Sequence, residues 1–242
     1  MFRHKGKGRS YIHNLRIASV LSFVAGIVNI TGLLSVGILT TNVTGHFAFF
    51  SRTFVNEDFR SAVIFLLFLL SFLLGAFISN LLSEIVVRIK QNLSYVIPIM
   101  FEIVLLISVP VLYSSHKIIH PDLLACTLLF AMGLQNALVT RVSQSVVRTT
   151  HLTGIFTDLG IEFSQILFYR RSLENYSLKK SIYLKIAIVA FFFAGGIIGG
   201  FTYYYLKLEV LYIACLCLVA ALLYDYFLLK FYTLKRRVIH KH

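Results

Sequence analysis

The stretch FVAGIVNITGLLSVGILTTNVTGHF, residues 23–47, returns as FAMGLQNALVTRVSQSVVRTTHLTGIF at residues 130–156. Each copy opens with Phe-x-x-Gly, ending at Gly26 or Gly133, and places an asparagine three residues later, at Asn29 or Asn136. Each then passes through an irregular stretch into Thr-Thr-x-x-Thr-Gly, at 40–45 and 149–154. Further along, FLLGAFIS (72–79) is matched by FFAGGIIG (192–199). The chain therefore holds one unit twice: an apolar segment, a Thr/Gly motif, a short amphipathic segment and two more apolar segments.

These segments have membrane dimensions. SAVIFLLFLLSFLLGAFISNLL (61–82) carries no charge over its length, and about 20 apolar residues cross a bilayer as a helix. The chain is 58% hydrophobic and 14% charged, against about 45–50% and 25% in soluble domains. The alternating ten-residue segments of a β-barrel are absent. The reading is an all-α integral membrane protein with six transmembrane helices, at 17–38, 61–83, 95–113, 122–140, 182–206 and 209–229. They form two inverted three-span repeats, with Thr/Gly breaks after spans one and four. A basic N-terminal segment (1–16) precedes one membrane domain (17–230; repeat one 17–113, repeat two 122–230), and a basic tail (231–242) follows. The first span is too long for a signal peptide and lacks a small-residue cleavage site after it.

The net charge of +13 sorts by side. With the N-terminus inside, the outer loops hold Arg52, Arg60, Lys117 and Lys207, and every other Lys or Arg falls inside. The positive-inside rule then puts both termini in the cytoplasm, and the basic excess faces anionic lipid headgroups. No nucleic-acid module accompanies the charge, so nucleic acid is not an expected partner; the lipid bilayer is.

The motifs also resemble a known family. AGIVN with TTNVTGH, and AMGLQNA with TTHLTG, are similar to the YoaK-like family of uncharacterised bacterial multi-span transmembrane proteins, grouped under a domain of unknown function. The resemblance covers about residues 15–230. It implies a bacterial cytoplasmic-membrane protein without a settled activity. That family often carries an acid at the place of Asn29 and Thr-Gly-Asn at Thr44-Gly45-His46. This chain departs from both, which weighs against an acid-dependent mechanism in the first copy.

An odd number of spans per unit inserts the second copy from the opposite face. Inverted repeats of this kind occur in secondary transporters, whose sites lie where the repeats meet. Candidate substrate-binding residues are therefore Asn29, Thr41, Thr44, Gly45, Gln135, Asn136, Thr150, Thr153 and Gly154. Threonine hydroxyls suit helix caps, and a helix that starts at membrane depth points its positive dipole end inward. The bland alternative is packing of small and amide residues and an interfacial helix over 154–169. Glu102 lies within span three, where a carboxylate is costly and points to function; Asp158 and Glu162, at i and i+4, are further coupling candidates. Arg141 and Arg148, just upstream, are the expected counter-charges of that pair. Asp225 reads as interfacial.

His46 and His151 fall in different repeats without convergent ligands, so no metal or other cofactor is expected. No GxSxG, HExxH or Walker motif occurs, which argues against an enzyme. Cys126, Cys215 and Cys217 read as inert buried thiols. Gly195-x-x-x-Gly199 and Gly196-x-x-x-Gly200 suit close helix packing, within the chain or in a homo-oligomer. The expected function is a transporter or permease for a small solute or ion, with a polar site between spans one and four; the alternative is a non-transporting membrane scaffold or sensor.

Overall fold

The structure is a computed structural model that describes residues 11–89, 94–116, 120–143, 146–168 and 173–239. The first ten residues of the basic N-terminal segment, residues 240–242 of the tail, and Lys90, Lys117, Arg170 and Arg171 lie outside the described residues. The helices are α1 (Tyr11–Val36), α2 (Val43–Val55), α3 (Phe59–Ile89), α4 (Val96–His116), α5 (Pro121–Ser143), α6 (Leu152–Phe168), α7 (Leu173–Leu206) and α8 (Leu211–Ile239). No strand occurs among the described residues.

Among the described residues four stretches are long and apolar enough to cross a membrane: Tyr11–Val36, Phe59–Arg88, Pro121–Ser143 and Tyr176–Phe227; Val96–Leu112 is a shorter apolar helix. The last long stretch counts 52 residues. Straight, it would run about 78 Å, more than twice the roughly 30 Å hydrocarbon thickness. It is interrupted by the 3₁₀ turn Lys207–Val210, where Lys207 takes a left-handed φ of 50°. α1 packs against both limbs.

Residue contacts fix the relative directions. The most extensive pairings are α1 with α7 and α3 with α5, and both pairs are parallel. Gly195 of α7 abuts the Phe23 backbone, while Gly199, further along, meets Ile27. In the other pair Gly133 abuts Phe72, and Arg141 reaches Asn80 and Glu84. α1 and α5 run antiparallel, because Leu21 lies by Gln135 and Gly32 by Leu128. α8 returns beside α1, bringing Tyr224 to Arg16.

The two parallel pairs share one contact. A methyl group at Gly26 would strike the Phe192 carbonyl, and one at Gly195 would strike the Phe23 carbonyl. The same holds for Gly75 against Phe130 and for Gly133 against Phe72. Four Phe-x-x-Gly turns, one in each of α1, α3, α5 and α7, thus meet in reciprocal couples. Glycine is required because only a missing side chain lets two helix backbones approach this closely. α1, α5, α4 and α8 close a buried centre, with Leu21, Ile27, Leu106, Leu128, Leu138 and Leu218 fully enclosed.

Candidate functional site

The first Thr/Gly motif does not leave the bundle. α1 ends in an αL cap: Gly37, at φ 73°, donates its N–H to Leu33 O at 3.0 Å, and Ile38 donates to Gly32 O at 3.3 Å. Positive φ is cheap only for glycine, which fits it to this capping position. The chain then doubles back along α1. Thr40 lies against Gly32, and Thr41 reaches Asn29, whose Oδ1 accepts from the Thr41 N–H (3.2 Å) and hydroxyl (2.9 Å). Asn29 stands seven residues before Val36, so the return covers about 10 Å of helix rise.

α2 begins at that depth and climbs out antiparallel to α3. Its first-turn His46 ring sits 5.6 Å from Phe68, and near its end Phe54 sits 5.6 Å from Phe59, the first residue of α3. The helix cap is Asn42, whose Oδ1 accepts from the Gly45 N–H at 3.0 Å; the expected threonine cap is not used there. This explains the glycine that ends the motif. A methyl group at Gly45 would fall on the Asn42 carboxamide, and one at Gly154 would fall on the His151 ring. The residue three before each glycine folds over the first helical turn and needs the room. Gly45 and Gly154 therefore serve space, not positive φ, which among the described glycines only Gly37 adopts.

The second motif follows the same plan with different bonds. Val147 folds back onto Ser143, whose hydroxyl accepts from the Val147 N–H at 3.0 Å. α6 then runs antiparallel to α7, tied by Lys185, which bonds Glu162 at 2.5 Å and Asp158 at 3.3 Å. Ser181 also donates to Glu162 at 2.6 Å. The counter-charge expected from Arg141 or Arg148 comes from Lys185 instead. Arg141 pairs with Glu84 at 2.9 Å on α3, a helix remote in sequence and adjacent in the fold, and Arg148 is exposed.

The other candidates divide clearly. Gln135 is fully buried and donates from Nε2 to Leu21 O at 2.9 Å, stitching α5 to α1. Asn136, one residue on, lies level with about residue 20 of α1, roughly 13 Å along the axis from Asn29; the two asparagines do not meet. Thr44 and Thr153 are exposed on the first turns of α2 and α6, and Thr150 is half-buried. Glu102 is fully buried beside Phe101, whose ring packs edge-on to Phe130 at 5.9 Å. From α8, Cys215 approaches the neighbouring Ile103 carbonyl at 3.8 Å. Asp225 is 2% exposed, enclosed by neighbouring helices.

Several buried oxygens lack a hydrogen-bond partner: Ser22 Oγ, Thr40 Oγ1, both Glu102 oxygens, Gln135 Oε1, Asn136 Oδ1 and Thr149 Oγ1. Thr40 and Thr149 open the two hexapeptides and are both fully buried. Sequence reasoning favoured the later threonines and passed over this pair; their place as the first residue of each repeated motif was the available signal. Among the described residues no group of three or more His, Cys, Asp or Glu side chains converges as a metal site would need.

No curated protein and no solved structure matches this chain. A family described as "Protein of unknown function (DUF1275)" matches residues 17–224, which takes in α2 to α7 and parts of α1 and α8. The chain belongs to that DUF1275 family of proteins of unknown function.

Proposed function

We propose that this protein is a permease for a small solute or ion in a cytoplasmic membrane. In this reading it crosses the membrane six times as two inverted three-span repeats, with both termini in the cytoplasm. The observation that carries it is the return of residues 37–42 to Asn29, which starts α2 inside the bundle. Irregular backbone at membrane depth is tolerated only where protein or a polar cavity surrounds it, and in transporters such half-helix starts face the solute.

Two further features support the reading. The parallel pairing of α1 with α7 and of α3 with α5 is what two oppositely inserted copies would produce when each lends its second span to the other's first. The partnerless oxygens of Ser22, Glu102, Gln135 and Asn136 lie on helices of the central ring, and such groups cost free energy until a partner is supplied. Glu102 is the assigned coupling group, because its carboxyl is fully buried in that ring and both its oxygens lack a partner. Asp158 and Glu162 are already held by Lys185, so their assigned part is to fasten α6. The chain is not assigned an enzymatic role.

The test is uptake by proteoliposomes against a panel of amino acids, amines, carboxylates, sugars and inorganic ions, with and without a pH gradient. Saturable uptake that falls when Glu102 is changed to Gln supports the reading. Absence of uptake across the panel, from protein shown to be folded and correctly inserted, favours a scaffold or sensor.

A further inference from the structure

Between the end of α1, the start of α3 and the start of α5 lies a half-open cavity of about 210 Å³. Its apolar wall is built by Ile38, Ile64, Phe65 and Phe68, and its polar rim by Ser61 and Asp122. Phe65 and Phe68 stand edge to face, 5.8 Å apart at 88°. The Ser61 hydroxyl is already engaged by Asp58, which leaves Asp122 as the rim group with charge to offer. Among the described residues, no ion pair joins Asp122 to a basic group and no basic side chain lines the cavity.

We propose that this cavity is a binding site for a small organic cation, an ammonium group carrying a short apolar or aromatic body. The ammonium meets the Asp122 carboxylate, and the body lies against Phe65, Phe68 and Ile64. The inference deepens the permease reading by naming the substrate class at its outer mouth, and it rests on that reading for its transport role.

Charge and shape both select this class. An anion would meet the Asp122 carboxylate with no basic side chain among the described lining residues to offset it. A sugar would bring hydroxyls to a wall with almost nothing to bond them, and unpaired polar groups oppose binding. The volume is below the roughly 300–1,000 Å³ of sites for drug-sized ligands, so the solute is small. Ile38 belongs to the segment that turns back toward Asn29, so the cavity borders the break.

Asp122 also occupies the first turn of α5, where an acid is favourable to the helix on its own account. The experiment separates that structural role from recognition. Calorimetric titration of the purified full-length protein would use three probes of one shape: benzylammonium, benzyl alcohol and benzoate. The expected result is saturable benzylammonium binding, at least tenfold tighter than benzyl alcohol, with no benzoate binding. Asp122→Asn should close the gap between benzylammonium and benzyl alcohol, whereas a purely structural role would shift both alike. Ile38→Trp should fill the space and weaken both, which keeps the test open if the Asp122 variant fails to fold. Absence of saturable benzylammonium binding, or a gap that survives Asp122→Asn, overturns the proposal. If benzylammonium binds here but proteoliposomes move neither it nor any solute, the cavity stands and the permease reading falls. If a solute is transported that benzylammonium does not inhibit, the permease reading stands and this substrate class falls.

Discussion

Thr41 gives both its backbone N–H and its hydroxyl to one acceptor, the Oδ1 of Asn29, twelve residues earlier in the chain. That fork holds the break segment inside the bundle and sets where α2 begins. Asn29→Leu removes the acceptor and leaves two donors in a largely apolar setting. Leaving such groups unsatisfied costs about 1–3 kcal/mol. Unfolding of the purified protein in detergent should register that loss. Asn136→Leu should cost less, since Asn136 Oδ1 has no partner to lose. Equal losses at both sites would contradict the assigned roles.

Neighbouring glycines in α7 should respond in opposite ways. A methyl group at Gly195 collides with the Phe23 carbonyl, which is backbone and cannot swing aside, whereas one at Gly196 meets nothing within 4 Å. Gly195→Ala should destabilise by about 1–3 kcal/mol, as overpacking does. Gly196→Ala should be neutral or stabilise by up to about 1 kcal/mol through helix propensity. Gly133→Ala, against Phe72, should behave like Gly195→Ala. Thermal unfolding of the three variants checks the set.

Asp58 caps α3 by accepting the Ser61 N–H at 3.1 Å. The Ser61 hydroxyl adds a second bond, and the two hold the Asp58 carboxyl below the usual carboxylate range. Folded protein therefore binds the Asp58 proton less tightly than unfolded chain does. The stabilisation is complete above the unfolded value, about pH 4, and disappears as pH falls through the lower folded value. Asp58→Ala should thus lower the unfolding temperature at pH 7, and the gap from the native chain should narrow below about pH 4. A gap that stays constant to pH 2 would show that the carboxylate's charge plays no part.

Lys185 holds both acids of α6. Lys185→Met would leave Glu162 and Asp158 close together without a cation. Breaking such a partly buried cluster should cost about 3 kcal/mol and loosen α6 from α7. Adding Glu162→Gln should restore part of the loss. Hydrogen exchange of α6 amides reads the effect: protection should fall in the single variant and recover in the double one.

Single cysteines in a cysteine-free background test the insertion of the helices. Replacements at Asn56, between α2 and α3, and at Lys207, between α7 and α8, should react with an impermeant maleimide added outside intact cells. A replacement at Glu84 near the end of α3 should react only after the membrane is opened. Labelling of Asn56 and Lys207 from opposite sides would refute the proposed six crossings.

The long apolar helices were legible in the sequence because each is an apolar run between polar breaks. α1 and α5 were also legible as copies, since Phe23-x-x-Gly26 and Phe130-x-x-Gly133 keep their spacing. What the repeat could not tell is which helix each glycine faces. Gly26 meets Phe192 and Gly75 meets Phe130, pairings set by tertiary packing across the two halves. The same limit hid the partner of Arg141: Glu84 is far from it in sequence, and proximity along the chain pointed to Asp158 instead. The capping role of Asn42 was concealed by the threonines around it, which offer the same chemistry. The cavity by Asp122 had no signature at all, because its walls come from three separate helices.

The reciprocal glycine couples bear on how the chain is made. α1 leaves the ribosome first, but its partner surface on α7 follows roughly 170 residues later, a delay of about ten to thirty seconds at typical synthesis rates. α3 waits a third as long for α5. During that interval the Gly26 groove stays open to lipid or to the wrong helix, so α1 is inserted well before it is locked. A nascent chain stalled before Phe192 would therefore carry a bare docking face, one that a separately synthesised second half could still fill.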